Sequence, residues 1–80
     1  LANISEAKPV RGYILRSTDK AIHFEIHEVN GLSVIDEYGD PQAEWFPISQ
    51  ITSITKAADP QEQDEIMVKD WLLKTKDLLA

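Results

Sequence analysis

Ala21-Ile22-His23-Phe24-Glu25-Ile26-His27-Glu28-Val29-Asn30-Gly31 is the stretch whose reading decides the fold class. Ile22, Phe24 and Ile26 alternate with His23, Glu25 and His27. Successive side chains on a strand point to opposite faces, so the pattern is a half-buried strand, apolar on one side and polar on the other. Asn30-Gly31 follows at once. Both central residues of a type I′ turn need positive φ, which Asn and Gly tolerate best, so the chain is expected to turn back as a hairpin. The returning strand is expected over Leu32 to Tyr38, with Leu32, Val34 and Tyr38 on one face.

Working outward, Val10 to Ser17 is rich in strand formers, and Ser17-Thr18-Asp19-Lys20 supplies a turn. Residues 1–9 lack periodicity and end in Pro9, so they are expected to form an N-terminal arm ahead of a single domain over 10–80. Downstream, Gly39-Asp40-Pro41 marks a turn. Gln42 to Phe46 reads as a fourth strand, cut short because Pro47 has no N–H for a ladder hydrogen bond. Ile48, Ile51 and Ile54 repeat every third residue, the spacing of a 3₁₀ turn running into a fifth strand over Ile51 to Lys56.

Two readings of the C-terminal part stay open. Asp59-Pro60-Gln61-Glu62 has the acid, Pro and Glu of a helix start. In the other reading Glu65 to Val68 is a short strand and the helix starts near Asp70, running over about 69–79 with Asp70 as its N-cap. Val68, Trp71, Leu72, Thr75, Leu78 and Leu79 form one helical stripe in either case. The expected fold is mainly β: a small antiparallel barrel of five to six strands, Src-homology-3-like or OB-like, with a short C-terminal α-helix.

Composition narrows function. Eighty residues make one domain with a thin core. There are no cysteines, hence no disulfide scaffold and no thiolate zinc site. No apolar run approaches the ~18 residues of a membrane span, and no signal-peptide or lipidation pattern appears, so the expectation is a cytoplasmic protein with no membrane partner. The net charge is −6. Residues 21–55 hold six acids and no Lys or Arg, whereas residues 1–20 hold four cations against two acids. Non-specific nucleic-acid affinity comes from cations that displace counterions, and an acidic middle opposes it. Arg11 and Arg16 are expected to balance acids on a neighbouring strand.

Two resemblances rest on specific residues. Glu44-Trp45-Phe46-Pro47-Ile48-Ser49-Gln50-Ile51 resembles the end of the fourth strand and the 3₁₀ turn of Src-homology-3 domains. Gln50 stands where that family places a ligand-stacking Tyr, and the family's acidic loop and N-terminal aromatic motif are missing. The resemblance thus implies the fold without polyproline binding. A longer one is to small uncharacterised proteins of bacteria and phages. It runs through Lys20-Ala21 with Phe24, then Trp45 to Ile51 as Trp-x-Pro-x-Ser-Gln-Ile. Ile66 with Val68 follows, and then Trp71-Leu72 with Lys76 and Leu78. It implies a shared β-rich fold, supports the strand reading of Glu65 to Val68, and carries no activity to transfer.

Candidate sites are few. His23, Glu25 and His27 share one strand face, and neighbouring imidazole and carboxylate side chains can chelate a metal. His23 and His27 are two strand repeats apart, ~13 Å, too far for one ion; at most Glu25 with one His has the geometry, and the competing account is a solvated polar face. Ser49 has no Gly-rich elbow and is expected to bond local backbone. Asp36, Glu37 and Asp40 match no calcium loop and read as an acidic hairpin tip. Tyr38, Trp45, Gln50 and Trp71 are the binding candidates. Trp45 is expected in the core and Trp71 is expected to clamp the helix onto the barrel, where its loss would unfold the chain. No catalytic residue and no cofactor is expected. The functional expectation is a non-catalytic interaction module for a protein partner or a second copy. The alternatives are a phage-type nucleic-acid accessory protein and a metal-binding protein through His23, Glu25 and His27.

Overall fold

Ile22, Phe24 and Ile26 are buried, and His23, Glu25 and His27 lie on the opposite, partly exposed face, as the alternation requires. A computed structural model of the chain describes residues 6–35 and 37–79. Strand β1 (Ala7–Ser17) pairs antiparallel with β2 (Ala21–Val29). The turn between them is tied by Thr18, whose hydroxyl accepts from the amides of Lys20 and Ala21. β1 starts at Ala7, so the last three residues of the expected arm are strand, paired with residues near the C-terminus. Residues 1–5 of that arm lie outside the described residues.

The β1–β2 pairing skips His27 on β2 and Leu15 on β1. An extra residue shifts the phase of the alternation, which is why Val29, three positions after Ile26, is also buried. Gly12 sits beside the first shift and is buried against β2. A Cβ there would fall inside contact distance of the Glu25 carbonyl oxygen, with the carbonyl carbon at 3.0 Å and Phe24 Cε2 at 3.1 Å. Asn30 (φ 53°) and Gly31 (φ 83°) make the expected positive-φ turn.

The strand after that turn, β3, is only Leu32–Ser33, far shorter than the expected Leu32 to Tyr38. The cause is competition for one edge of β2. Strand β4 (Gln42–Pro47) pairs with Ala21 to Ile26 of β2, and β3 keeps only Glu28 and Val29. Leu32 and Tyr38 are accordingly 72% and 81% exposed, while Val34 packs on the core. Asp36 of the expected acidic tip lies outside the described residues.

A 3₁₀ turn over Ile48–Gln50 joins β4 to β5 (Ile51–Thr55), as the Ile spacing predicts. Its first amide donates to the Lys20 carbonyl at 2.9 Å, anchoring the corner to the β1–β2 end. Asp59-Pro60 starts no helix. Asp64–Lys69 is strand β6, which pairs with β1 on one side and β5 on the other. The sheet runs β3-β2-β1-β6-β5, with β4 beside β2. It is antiparallel, six-stranded and barrel-like, but no ladder joins β4 to β5 among the described residues, so the seam between them is open.

Helix α1 (Asp70–Thr75) follows β6 directly and is shorter than the expected 69–79. Asp70 is its first residue rather than its N-cap; Lys69 holds that position without a side-chain cap bond. The helix stops in a Schellman turn: Leu78 N–H donates to Leu73 O (2.8 Å), Asp77 N–H to Lys74 O (3.1 Å), and Asp77 has φ 59°. Leu78 and Leu79 therefore reach the core by a chain reversal and not by helical period.

The core holds Val10, Ile22, Phe24, Ile26, Val29, Phe46, Ile66, Val68, Leu72 and Leu73. Two expectations fail here. Phe46, not Trp45, fills the β4 core position, because Phe46 pairs with Ile22 and so points inward, leaving Trp45 on the outer face, 43% exposed. Leu72 and Leu73 dock α1, and Trp71 is 51% exposed. With β6 running straight into the helix, Ile66 and Val68 set the inward direction and Trp71 falls outside it.

Candidate interaction surface

The outer face of β1, β2 and β4 collects the polar and aromatic residues as cross-strand rows. Arg16, His23 and Trp45 form one row. The imidazole of His23 lies flat on the indole of Trp45, centroids 4.7 Å apart and planes 7° from parallel. Tyr13, Glu25 and Ala43 form the next. His27 Nε2 is 2.8 Å from Glu25 Oε1, and the His27 ring meets Tyr13 edge-on at 5.2 Å. The three metal candidates are thus split between two sets of partners. Among the described residues, no group of three or more His, Asp or Glu side chains is placed to hold a metal ion.

Arg11 faces Glu28 on one side and Glu65 on the other in register. Arg16 faces His23 and no acid. Near Arg11 the surface dips into an open cavity of about 400 Å³ bordered also by Thr55, Lys56, Glu62 and Glu65. Two cations and two acids there favour neither sign of ligand. Ser49 Oγ accepts from the side-chain Nε2 of Gln50 at 3.2 Å, a side-chain partner where a backbone one was expected.

Gln50 and Trp71, two of the binding candidates, are brought together. The indole N–H of Trp71 donates to Gln50 Oε1 at 3.0 Å, linking α1 to the 3₁₀ turn. Trp45 lies apart from them on the outer face, and Tyr38 lies in the loop after β3. Through Gln50, Trp71 stands next to the start of β5, a strand that among the described residues pairs only with β6. β5 reads Ile51-Thr52-Ser53-Ile54-Thr55: no charge, no Pro, and four of its five residues exposed. Ile48 and Ile54 are 36% and 45% exposed on this edge and its turn. Natural sheets normally block edges with charge, Pro, a bulge or a covering element; β5 has no charge and no Pro, and its pairing with β6 shifts register at Thr52.

The opposite edge has both charge and Pro. β4 ends in Pro47 and carries Glu44, whose Oε1 is 3.2 Å from Lys76 Nζ. The Lys76 ammonium also sits 5.7 Å from the ring centroid of buried Phe46, and Glu44 lies opposite buried Phe24, so the ion pair places charge on the inner side of this edge strand. A hydrogen bond from the Gln42 amide, aided by Lys76, holds the Glu44 carboxyl below its usual range. At the foot of α1, Lys8 reaches Glu6 and Asp70, and the Asp70 amide donates to the Glu6 carbonyl.

Ile48, Thr52 and Ile54 are absent from the sequence-based candidates. Their uncharged, β-branched composition is visible in the chain. That β5 is an edge depends on the insertion of β6 between it and β1, which no local pattern states. The chain matches no protein-family model, no curated protein and no solved structure. Among the described residues, no helix is long and apolar enough to cross a membrane.

Proposed function

We propose that the chain is a non-catalytic interaction module that takes a partner along the open edge of β5, with Trp71 as the side-chain anchor beside it. The observation that carries this reading is the pairing of an edge free of charge and Pro with a fixed aromatic. Main-chain groups of an edge strand supply affinity to any extended segment, and the side chains flanking it supply selectivity. A half-exposed Trp held in one orientation by Gln50 is the residue type that dominates interface energies. Holding it in the free protein lowers the ordering cost on binding.

The test is site-specific photo-crosslinking in the producing cell, with the reactive side chain placed at Thr52 or, as a control, at exposed Leu15 on β1. Adducts that form from position 52, not from position 15, and disappear with Ile54→Lys support the reading. Equal yields from both positions, or none from position 52, overturn it.

A further inference from the structure

We infer that the partner taken along β5 is a second copy of this chain, joined edge to edge about a two-fold axis; the inference rests on the edge reading above. Charge is the first argument. Two copies each carrying −6 repel, so a self-contact belongs where the surface has no sign. Among the described residues, β5 is the only strand longer than two residues without a charged side chain: β1 has Lys8, Arg11 and Arg16, β2 has Glu25 and Glu28, β4 has Glu44, and β6 has Asp64, Glu65 and Lys69.

Symmetry is the second. A two-fold contact pairs the strand antiparallel with itself, so around a centre at Ser53, Ile51 faces Thr55 and Thr52, where the β5–β6 register shifts, faces Ile54. Such β-branched and hydroxyl pairs are favourable cross-strand neighbours. The nearest charge, Lys56, then faces Gln50 of the other copy. The two Lys56 side chains are ~20 Å apart along the strands, beyond the ~8 Å screening length at physiological salt. The two edges also differ: the β4 side carries Pro47 and the inward-pointing Glu44 held by Lys76, whereas β5 has neither charge nor Pro and is irregular only at the register shift at Thr52.

The contact is small. Five paired residues with Ile48, Ile54 and Trp71 fall below the ~1,200 Å² of a standard interface, which makes the dimer a weak, exchanging one. Analytical ultracentrifugation from about 20 μM to about 1 mM is expected to show a monomer–dimer equilibrium with a dissociation constant on the order of 100 μM. Ser53→Lys and Ser53→Glu each place like charges across the axis and are expected to be monomeric throughout. An equimolar mixture of the two is expected to recover association, a result that misfolding cannot produce. A wild type that stays monomeric at the top concentration overturns the second-copy inference and leaves the edge reading to the crosslinking experiment. A dimer that both Ser53 variants retain overturns the inference too, because the contact then lies elsewhere.

Discussion

The indole N–H of Trp71 donates to the side-chain oxygen of Gln50 across 3.0 Å, although half of the Trp71 surface faces solvent. The bond ties the helix start to the corner between β4 and β5. Trp71→Phe keeps the ring and removes the donor. It is expected to cost about 0.5–1.5 kcal/mol, the net worth of one hydrogen bond. Gln50→Ala should cost about the same, and the double variant little more than either single, since both remove one interaction. Urea denaturation measures all three; complete unfolding of Trp71→Phe would show that the ring's bond holds far more than the corner.

Gly12→Ala is expected to be among the most damaging small substitutions. The added carbon meets the backbone of Glu25, which cannot move without disturbing the ladder at the neighbouring register shift. Overpacking of this kind costs about 1–3 kcal/mol or more, against a total of roughly 4–12 kcal/mol for a domain of this size. A urea midpoint equal to wild type would contradict the close approach.

Phe46→Ala and Trp45→Ala separate the two faces of β4. Phe46 is fully buried, and its truncation is expected to remove about 3–5 kcal/mol. Trp45 is half-exposed against His23, and its loss is expected to cost under about 1.5 kcal/mol. Thermal denaturation of the pair gives the ranking; the reverse order would place Trp45 in the core.

Glu44 links stability to pH. Its carboxyl titrates below the usual 4.5 because Gln42 and Lys76 favour the ionised form. A carboxyl depressed in the folded state stabilises above the unfolded value, and that contribution disappears as pH falls through the folded value. Lys76→Ala should therefore be less stable than wild type near pH 6, with the gap narrowing at about pH 3. Urea midpoints at both values test the sign; a gap that widens in acid would refute it.

Nucleic acid provides the last test. The row of Arg16, His23 and Trp45 has a stacking surface and one permanent cation. With 8 Lys and Arg against 14 acids, sequence-independent affinity for single-stranded DNA is expected to be weaker than ~10 μM at physiological salt. Trp fluorescence during an oligonucleotide titration reads it, and sub-micromolar, salt-sensitive binding would be the contrary result.

Much of the sheet is legible along the chain. β2, the Asn30-Gly31 turn, the 3₁₀ corner and the stop at Pro47 follow from alternation, turn chemistry and the missing proline donor, all of which are local. The strand at Ile66 to Val68 is legible only as one of two alternatives, because a short apolar pair there fits helix and strand periods alike. Of the candidate site, Gln50 and Trp71 are named by residue type, but their partnership spans 21 positions and has no local signature.

By itself the sequence determined which segments alternate, where the chain turns, and that charge is concentrated away from β5, since each depends on neighbours a few residues apart. The tertiary structure alone decided which of two adjacent aromatics entered the core, how much of β2 was left for β3, and which strand became the open edge. Each of those outcomes is a competition between distant segments for one limited surface. Phe46 is buried because its register partner is Ile22; β3 is short because β4 takes most of β2; and β5 is open because β6 takes β1. Pairing of this kind depends on the relative placement of segments tens of residues apart, and no window of local pattern contains both sides of it.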